Sequence, residues 1–337
     1  MLEEKHGPSL PSFPLSIIHP LGPLFRHLPL ALRRHLLYMR ATSRWGNFRN
    51  PRLWSEKMQW RILNDRRPIL SWTADKLAQK EYVCRQLNLA GMSDYVKTPT
   101  IYWVGTDIRE LQQISHLLPS RWVLKPNHSS GRFKLLDTER THIDWDDLVR
   151  LGDEWVKSDE EELVLGHWAY GKARHALIAE ERVGVSTEPD AEVKGWTFSG
   201  KMHTFTIFHT LSKNNANYSR DYQRILSGHE RELPVHVPTK FELIPITLRD
   251  NIRAIAELLA SPFDHVRVDF FVENEVIWFN ELSTYARGGI GRINNEIESS
   301  RGNRWILPDP RALDPREEEW TSLLGSLPRG IYQMPRG

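Results

Sequence analysis

Residues 266–282 read VRVDFFVENEVIWFNEL, and this stretch predicts a β-hairpin. Apolar side chains at every second position from Val266 to Val272 have the period of a strand with one buried face. Glu273-Asn274-Glu275 interrupts that period with turn-forming residues, and Val276–Leu282 returns as a second apolar run. We therefore expect the two strands to be neighbours in an antiparallel sheet.

The predicted hairpin carries two carboxylates and a guanidinium group on one face. A three-residue turn would place Asp269 opposite Phe279, with Glu281 one diagonal step away, roughly 7–8 Å between Cβ atoms. Carboxylates at that spacing can share Mg²⁺, which takes oxygen ligands. Arg267 lies on the same face, where a guanidinium beside a metal can neutralise phosphoryl oxygens. Taken alone, the pattern fits equally well an exposed hairpin with solvent-screened ion pairs.

A second group of residues suits phosphate binding. Lys125 ends the short β-rich run 121–125, from which an ammonium group can reach phosphates as a point charge. His128 in the following loop adds a donor. Backbone N–H groups of the next three residues can form a concave anion site; these residues are Ser129, Ser130 and Gly131. The alternatives are an exposed strand end and an ordinary surface histidine.

Lys76 and a pair of glutamates complete the set of candidate residues. Lys76 lies in the first turn of a helix that Asp75 can cap. A cation there interacts unfavourably with the helix dipole, so the position of Lys76 indicates a functional role more than a contribution to stability. Glu180-Glu181 ends a strand, where a backbone linker and a carboxylate can contact a base and a ribose. Glu192 and Lys194 follow closely. As an alternative, these are ordinary charged residues of a linker.

Composition sets limits on the class of protein. The chain has 337 residues, of which 40% are hydrophobic, so a substantial core can form. A net charge of +2 excludes a strong electrostatic case for nucleic-acid binding. Cys84 is the single cysteine, which excludes an intramolecular disulfide and suits a reducing compartment. With no apolar run of about 18 residues and no secretory signal, a cytoplasmic protein is expected.

Residues 1–55 form a basic segment. No acidic residue lies between Glu4 and Glu56, whereas eight lysines and arginines do. Leucines in the same region predict an amphipathic helix from about Leu30 to Met39. Through residues 26–52 this helix could contact the inner face of an anionic membrane or an acidic polysaccharide. The alternative is a helix packed on the main body with its arginines in water.

Further elements follow from periodicity and turn residues. Ser55 is a candidate cap for the helix that follows it, and the Pro-rich tail from Pro308 is expected to pack loosely. The remaining predictions are helices at 144–155 and 247–259 and strands at 176–179, 196–198 and 202–208.

In their order and spacing these motifs resemble the ATP-grasp superfamily, and within it the TupA-like family associated with teichuronopeptide and other surface-polymer synthesis. The resemblance covers about Asn47 to Arg292. It implies an α+β fold in which two α+β lobes hold ATP in the cleft between them. The implied divisions are a basic helical extension at 1–55, the N-terminal part of the ATP-grasp core at 56–117, a lid at 118–185, a catalytic lobe at 186–305 and a Pro-rich tail at 306–337.

The resemblance also implies roles for the candidate residues, with ATP and Mg²⁺ as cofactors. Arg267 would face the transferred phosphate and the acyl intermediate. Three departures from the family pattern are a loop poorer in glycine after Lys125, a glutamate at Glu192 where aspartate is usual, and a serine at Ser283 where asparagine is frequent. The implied contacts are phosphates for Lys76, Lys125 and the 128–131 loop; adenine for Glu180, Glu181 and Val183; ribose for Glu192, with Lys194 nearby; and Mg²⁺ for Asp269, Glu281 and Ser283.

The resemblance implies a carboxylate–amine ligase that forms an amide through an acyl phosphate. The carboxylate would be a uronic acid of a bacterial surface polysaccharide and the amine an amino acid. Arg287, Arg292 and Arg220 are candidates to hold the anionic substrate, and the first two join Arg267 and Lys125 as predicted catalytic residues. Two alternatives stay open: a kinase of the same fold that phosphorylates a sugar hydroxyl, and a glycosyltransferase or non-catalytic capsule-assembly protein.

Overall fold

The computed structural model describes residues 22–157, 160–183, 191–208, 215–225, 244–291, 293, 295–327 and 330–331. Its strands form two antiparallel sheets, and the strands predicted at 176–179, 196–198 and 202–208 are confirmed as parts of β4, β5 and β6. The strands are β1 Ile101–Gly105, β2 Arg121–Pro126, β3 Lys134–Asp137, β4 Leu177–Glu181, β5 Ala191–Phe198, β6 Lys201–Phe208, β7 Asn215–Ser219, β8 Arg224–Ile225, β9 His265–Glu273, β10 Val276–Ser283 and β11 Gly330–Ile331.

Helices pack around both sheets. None of the helices in the described ranges is both long and apolar enough to cross a membrane. The helices are α1 Gly22–His27, α2 Leu30–Thr42, α3 Trp54–Asn64, α4 Pro68–Ser71, α5 Lys76–Ala90, α6 Ile108–Gln113, α7 Trp145–Lys157, α8 Glu160–Val164, α9 Ile246–Ala260, α10 Asn295–Arg304 and α11 Glu317–Ser322. The helices predicted at 30–39, 144–155 and 247–259 are confirmed.

The larger sheet has six strands in the order β10-β9-β5-β6-β7-β8. One face carries the apolar positions of its strands, such as Val268 and Phe205, which pack with Leu259 of α9 in one fully buried cluster. Because side chains alternate along a strand, the polar residues between these positions collect on the opposite face. This polar face carries the hairpin carboxylates.

The smaller sheet has the order β11-β1-β4-β2-β3. Helices α6 and α7 cover one face, where Trp103, Trp122 and Trp155 form the centre of a separate apolar cluster. The sheet includes β1, which lies before the predicted lid boundary at residue 118, and β11, which comes from the C-terminal region. The smaller sheet is therefore assembled from three separated parts of the sequence, and the predicted lid boundaries at 118 and 185 enclose only one of them.

The hairpin turn differs from the three-residue turn that the sequence predicts, and that prediction is wrong. Val276 pairs directly with Glu273, so the turn has only two residues, Asn274 and Glu275. Both have positive φ angles, 50° and 61°, which is the backbone geometry that matches the twist of a tight hairpin. An irregularity in β10 after Phe279 then shifts the register by one residue.

Two other local predictions are also wrong. Helix α3 begins at Trp54, so Ser55 lies inside its first turn and does not cap it. The capping acceptor is the carboxylate of Glu56, which accepts hydrogen bonds from the N–H groups of Leu53 and Arg52 at 3.2 and 3.0 Å. The described part of the tail is not loose around α11, because Trp320 is 1% exposed and packs within the core of the larger sheet.

Helix α2 packs on the body of the protein. Arg34 is fully buried, and its guanidinium group donates to Gln59 Oε1 at 2.7 Å, to the Leu165 carbonyl at 3.1 Å and to the Gly288 carbonyl at 2.5 Å. The packed alternative is thus observed, although Arg34 is buried where the sequence suggested solvent. Contact of this segment with a membrane or polymer stays a prediction.

Candidate nucleotide site

The polar face of the larger sheet brings three of the predicted side chains into direct contact. Because of the irregularity in β10, Asp269 lies directly opposite Glu281. Arg267 donates to both oxygens of Asp269, with Nε–Oδ1 and Nη2–Oδ2 distances of 2.7 and 2.5 Å, and to Glu281 Oε1 at 2.9 Å. Ser283 pairs with Arg267 in register and therefore belongs to the same face. One guanidinium group thus bridges two carboxylates.

The protonation behaviour of this cluster follows from burial and from its mixed charges. Burial raises the pKa of Asp269 to about 6, even though the Arg267 guanidinium opposes that shift. Burial lowers the pKa of Arg267, but its two carboxylate partners more than compensate and the net direction is upward. Burial acts to raise the pKa of Glu281, but the charges of Arg267, Lys194 and Lys76 outweigh it and the net direction is downward. The cluster therefore holds anionic and cationic groups in close balance.

The two opposed carboxylates fit a magnesium ion that receives its other ligands from a nucleotide and water. Mg²⁺ is commonly held by one or two carboxylates plus phosphates, and it keeps several waters. The described residues contain no group of three or more His, Cys, Asp or Glu side chains suited to a metal. Asp269 is 1% exposed, whereas the Glu281 side chain is 38% exposed and open to a ligand.

Lys194 and Glu192 lie on the same face of the larger sheet. Lys194 pairs with Asp269 in register across β5 and β9. Its ammonium group forms an ion pair with Glu192 Oε1 at 2.9 Å. Both residues are therefore in the row of polar side chains that ends at the hairpin carboxylates.

Lys76 connects helix α5 with the loop after β2. Its ammonium group donates to the carbonyl oxygens of Pro126, at 2.9 Å, and of Ser129. Asn127, in the same loop, also binds helix α5, because its Oδ1 accepts a hydrogen bond from the Leu77 N–H at 2.9 Å. Burial and the nearby charge of Lys125 lower the pKa of Lys76 to about 8. An anionic ligand here would meet a buried ammonium group.

Lys125 is held by Glu180, whose carboxylate lies between two lysines. Lys125 contacts Glu180 Oε1, and Lys80 Nζ lies 3.3 Å from Glu180 Oε2. Although burial of Glu180 raises its pKa, the two ammonium charges lower it overall. Lys80 was not among the predicted residues, although it lies four residues after Lys76 and therefore on the same side of α5. Glu180 orients Lys125, in addition to its predicted place in the adenine hinge.

The residues predicted to contact adenine lie at and just after the end of β4. The side chain of Glu181 accepts from the Thr100 N–H and Oγ1–H groups at 3.0 and 2.9 Å, which ties β4 to the segment before β1. Glu180 points to the lysines, because neighbouring side chains on a strand face opposite sides. Val183 follows the strand and is half-buried. Contact of the backbone from Glu181 to Val183 with a base stays a prediction.

The predicted phosphate loop follows Lys125 and contacts Lys76 through the Ser129 carbonyl. His128 and Ser129 are buried, and the His128 ring stacks on His175 with centroids 4.0 Å apart. Ser130 forms a hydrogen bond with the half-buried Tyr170. Gly131 has a φ of +71°, and no atom lies within 4 Å of where a Cβ would be, so the backbone turns here beside open space.

The arginines predicted for the substrate separate into different places. Arg287 lies in the turn Ala286–Gly289, close enough to Arg267 for that charge to lower the pKa of Arg287, after the larger effect of burial. Arg220 instead pairs with Glu257 of α9 at 3.0 Å and is away from the hairpin face. Arg292 lies outside the described residues.

Asp75 has a second partner that the sequence did not indicate. As expected, its carboxylate caps α5 by accepting from the Ala78 N–H at 2.9 Å. Arg174, which precedes β4, also donates to both oxygens of Asp75 at 2.8 Å. The start of the Lys76 helix is therefore fixed to the smaller sheet.

Comparison with known protein families identifies an ATP-grasp family. The model of the TupA-like ATP-grasp family matches residues 56–304, which is most of the chain. Comparison with curated proteins gives no significant match.

Solved structures that resemble the chain do so at low identity. D-alanine–D-alanine ligase from Bacillus anthracis is 16% identical, with 66% of this chain and 59% of that chain covered and a TM-score of 0.34. L-amino acid ligase from Bacillus licheniformis is 12% identical, with 89% and 64% covered and a TM-score of 0.40. N5-carboxyaminoimidazole ribonucleotide synthetase from Thermus thermophilus is 15% identical, with 63% and 45% covered and a TM-score of 0.34. The chain thus spans less than two thirds of the length of each of these proteins.

Proposed function

This chain belongs to the TupA-like ATP-grasp family, and on that premise we propose that it is an ATP-dependent carboxylate–amine ligase. The observation that carries the proposal is a set of two lysines and two carboxylates. Lys76 and Lys125 supply cations from one side. Asp269 and Glu281 supply opposed carboxylates from the other, with Arg267 between them. ATP and Mg²⁺ are the cofactors of this family.

In this proposal the residues bind and orient the reactants. Lys76 and Lys125 would hold phosphate oxygens, and Asp269 and Glu281 would hold Mg²⁺, which supplies charge neutralisation at the phosphoryl oxygens when it is bound. Arg267 would then exchange part of its contact with the carboxylates for the transferred phosphoryl group. Because catalysis of this kind depends on positioning and charge, the protein needs no nucleophile of its own.

The proposed reaction has two steps. A carboxylate oxygen of the first substrate attacks the γ-phosphorus of ATP, the bond to the β-phosphate oxygen breaks, and ADP leaves. The nitrogen of the amine then attacks the acyl carbon, inorganic phosphate leaves, and the amine gives up a proton to solvent. The products are an amide, ADP and phosphate. Protection of the acyl phosphate from water would be the task of the smaller sheet.

We further propose that the carboxylate belongs to a uronic acid of a bacterial surface polysaccharide and the amine to an amino acid. The support is the association of this family with surface-polymer synthesis, together with the guanidinium groups of Arg267 and Arg287, which suit an acidic substrate. Peripheral contact with the cytoplasmic face of a membrane through residues 26–52 belongs to the same proposal, since such a polymer is assembled at the membrane.

The test is a screen for ADP release in which uronic acids or acidic glycans are crossed with amino acids. A ligase should release ADP only when both substrates are present, and the product should gain the mass of the amine minus water. ADP release with the glycan alone, together with a phosphorylated glycan, would favour a kinase. Absence of heat on titration of Mg²⁺ and ATP would contradict the nucleotide site altogether and favour a non-catalytic role.

A further inference from the structure

Arg301 is a buried arginine that the proposed reaction leaves without a role. It lies on α10 and is 3% exposed. Its Cζ atom is 3.7 Å from the centroid of the Trp196 ring, and its Nη2 donates to Thr204 Oγ1 and Thr206 Oγ1, each at 3.2 Å. The ring and the two hydroxyl groups fix the plane of the guanidinium group from one side.

No carboxylate neutralises Arg301 within the described part of the chain. Its Nε is buried and has no hydrogen-bond partner among those residues. Burial, together with the charges of Arg267 and Arg287, lowers the pKa of Arg301 to about 9. Two other buried arginines differ: Arg61, whose Nε is also unpartnered, is neutralised by the Asp264 carboxylate at 2.6 Å, and each donor nitrogen of Arg34 has an acceptor. A buried charge whose donors are left over is costly, which indicates that an anion binds here.

Arg287 is a second guanidinium group to which the described residues supply no counter-ion. The described residues provide no hydrogen bond or ion pair to its side chain. Its backbone has a φ of +52°, which is unfavourable for a residue other than glycine and is held in place by the turn at 286–289. Strained backbone of this kind is found where a side chain must be presented to a ligand.

The position of the pair is defined by Arg267 and Trp196. Arg267 Cζ lies 5.7 Å from the centroid of the same Trp196 ring that Arg301 covers, and Arg267 contacts the carboxylates proposed for Mg²⁺. The unneutralised arginines are therefore beside the place where the phosphoryl group would be transferred. Arg301 reaches this place from α10, and Arg287 belongs to the turn at 286–289.

We propose that Arg287 and Arg301 form a binding site for the carboxylate of the acidic substrate, next to Arg267. This proposal rests on the proposed ligase function, since it names the group that receives the phosphoryl. Guanidinium groups suit this task because they present several fixed N–H donors to a planar carboxylate. Trp196 and the two threonines hold Arg301 ready, so little side-chain freedom is lost on binding.

The proposal is tested by binding, without turnover. The protein is saturated with Mg²⁺ and a non-hydrolysable ATP analogue, so that the phosphate sites are filled. D-glucuronate and its neutral counterpart D-glucuronamide are then titrated in by calorimetry, with inorganic phosphate as a third probe. We expect glucuronate to bind at least about 10-fold more tightly than the amide, and Arg301→Gln or Arg287→Gln to weaken glucuronate binding by about 10- to 100-fold.

Arg304→Gln is the matched control, because it removes the same charge from an exposed position one turn later on α10. It should leave glucuronate binding unchanged. The melting temperature of Arg301→Gln should be equal to or above that of the wild type, since an unneutralised buried charge is removed. If Arg301→Gln does not fold, the half-buried Arg287→Gln decides the question.

Equal binding of glucuronate and glucuronamide, or wild-type affinity in both arginine variants, would overturn the proposal. Binding of phosphate but not glucuronate would overturn the assignment to a carboxylate. Because the measurement needs no amine and no product, failure of the ligase reaction and failure of this binding site give different results.

Discussion

Replacement of Glu180 by glutamine should destabilise the protein by leaving two lysines without their shared anion. The Glu180 side chain is 6% exposed, and those of Lys80 and Lys125 are 4% and 14% exposed. Loss of one partner from a buried ion pair costs about 3–5 kcal/mol. Because the glutamine carbonyl can still accept one hydrogen bond, and Lys80 also donates to the Pro99 carbonyl at 3.0 Å, we expect a loss of about 3 kcal/mol.

The neighbouring residue provides the control. Glu181→Gln removes the same charge, but the partners of Glu181 are the neutral N–H and Oγ1–H groups of Thr100. A glutamine carbonyl can accept from these groups, so the loss should be about 1 kcal/mol or less. Both variants are compared by urea unfolding monitored by tryptophan fluorescence. The midpoints are converted to free energies of unfolding only if the dependence of that free energy on urea concentration is equal in the two variants.

The pH dependence gives a second check on the Glu180 variant. Burial lowers the pKa of Lys80, and the Glu180 charge opposes this. Without Glu180 the pKa of Lys80 in the folded state should fall further below its unfolded value. The folded variant then binds fewer protons than the unfolded chain, so its stability rises with pH between the two pKa values. The difference in unfolding free energy between the wild type and Glu180→Gln should therefore become smaller between neutral and alkaline pH. Equal losses for Glu180→Gln and Glu181→Gln, with no narrowing, would refute the reasoning.

Three further predictions concern the site and the core. Lys125→Ala and Glu281→Ala should each lower ADP release by about 100-fold or more while circular dichroism stays unchanged, and turnover close to that of the wild type would remove these residues from the site. At pH 8, close to the pKa of Lys76, binding of Mg²⁺ and ATP should take up about half a proton, measured as a buffer-dependent heat of binding that Lys76→Met abolishes. Trp320→Ala should cost about 3–5 kcal/mol of stability, because Trp320 is 1% exposed, whereas Leu313→Ala, at a position 95% exposed, should cost almost nothing; similar midpoints in urea would show that the tail does not contribute to the core.

The fold was predictable where local periodicity and chemistry agreed. Helix α9 and the strands of the hairpin follow from alternation and spacing that a single sequence contains. The order of motifs indicated the family, and the family match at residues 56–304 agrees with it. The polar face of the larger sheet follows from the same alternation.

The parts that the sequence missed depend on contacts between distant residues. The predicted register of the hairpin was wrong because Asn274 and Glu275 adopt positive φ angles and β10 is irregular after Phe279. An Asn-Glu pair is not a strong sequence signal for a two-residue turn, and no residue near Phe279 marks the irregularity. Trp320 was missed because its partner Trp72 lies far away in the sequence, with ring centroids 6.1 Å apart. Arg301 was missed because nothing local distinguishes a buried arginine from an exposed one.

The buried guanidinium of Arg34 has a practical consequence for anyone who prepares this protein. A chain trimmed to the stretch that the family model matches would begin after helix α2 and so would lack Arg34. The carbonyl groups of Leu165 and Gly288 would then lose a donor, and Gln59 would lose a partner. Such a shortened chain would be expected to express poorly or to hold the glycine turn at 288 in a different shape, and a negative activity test on it would say little about the full chain. Expression should therefore begin well before residue 30.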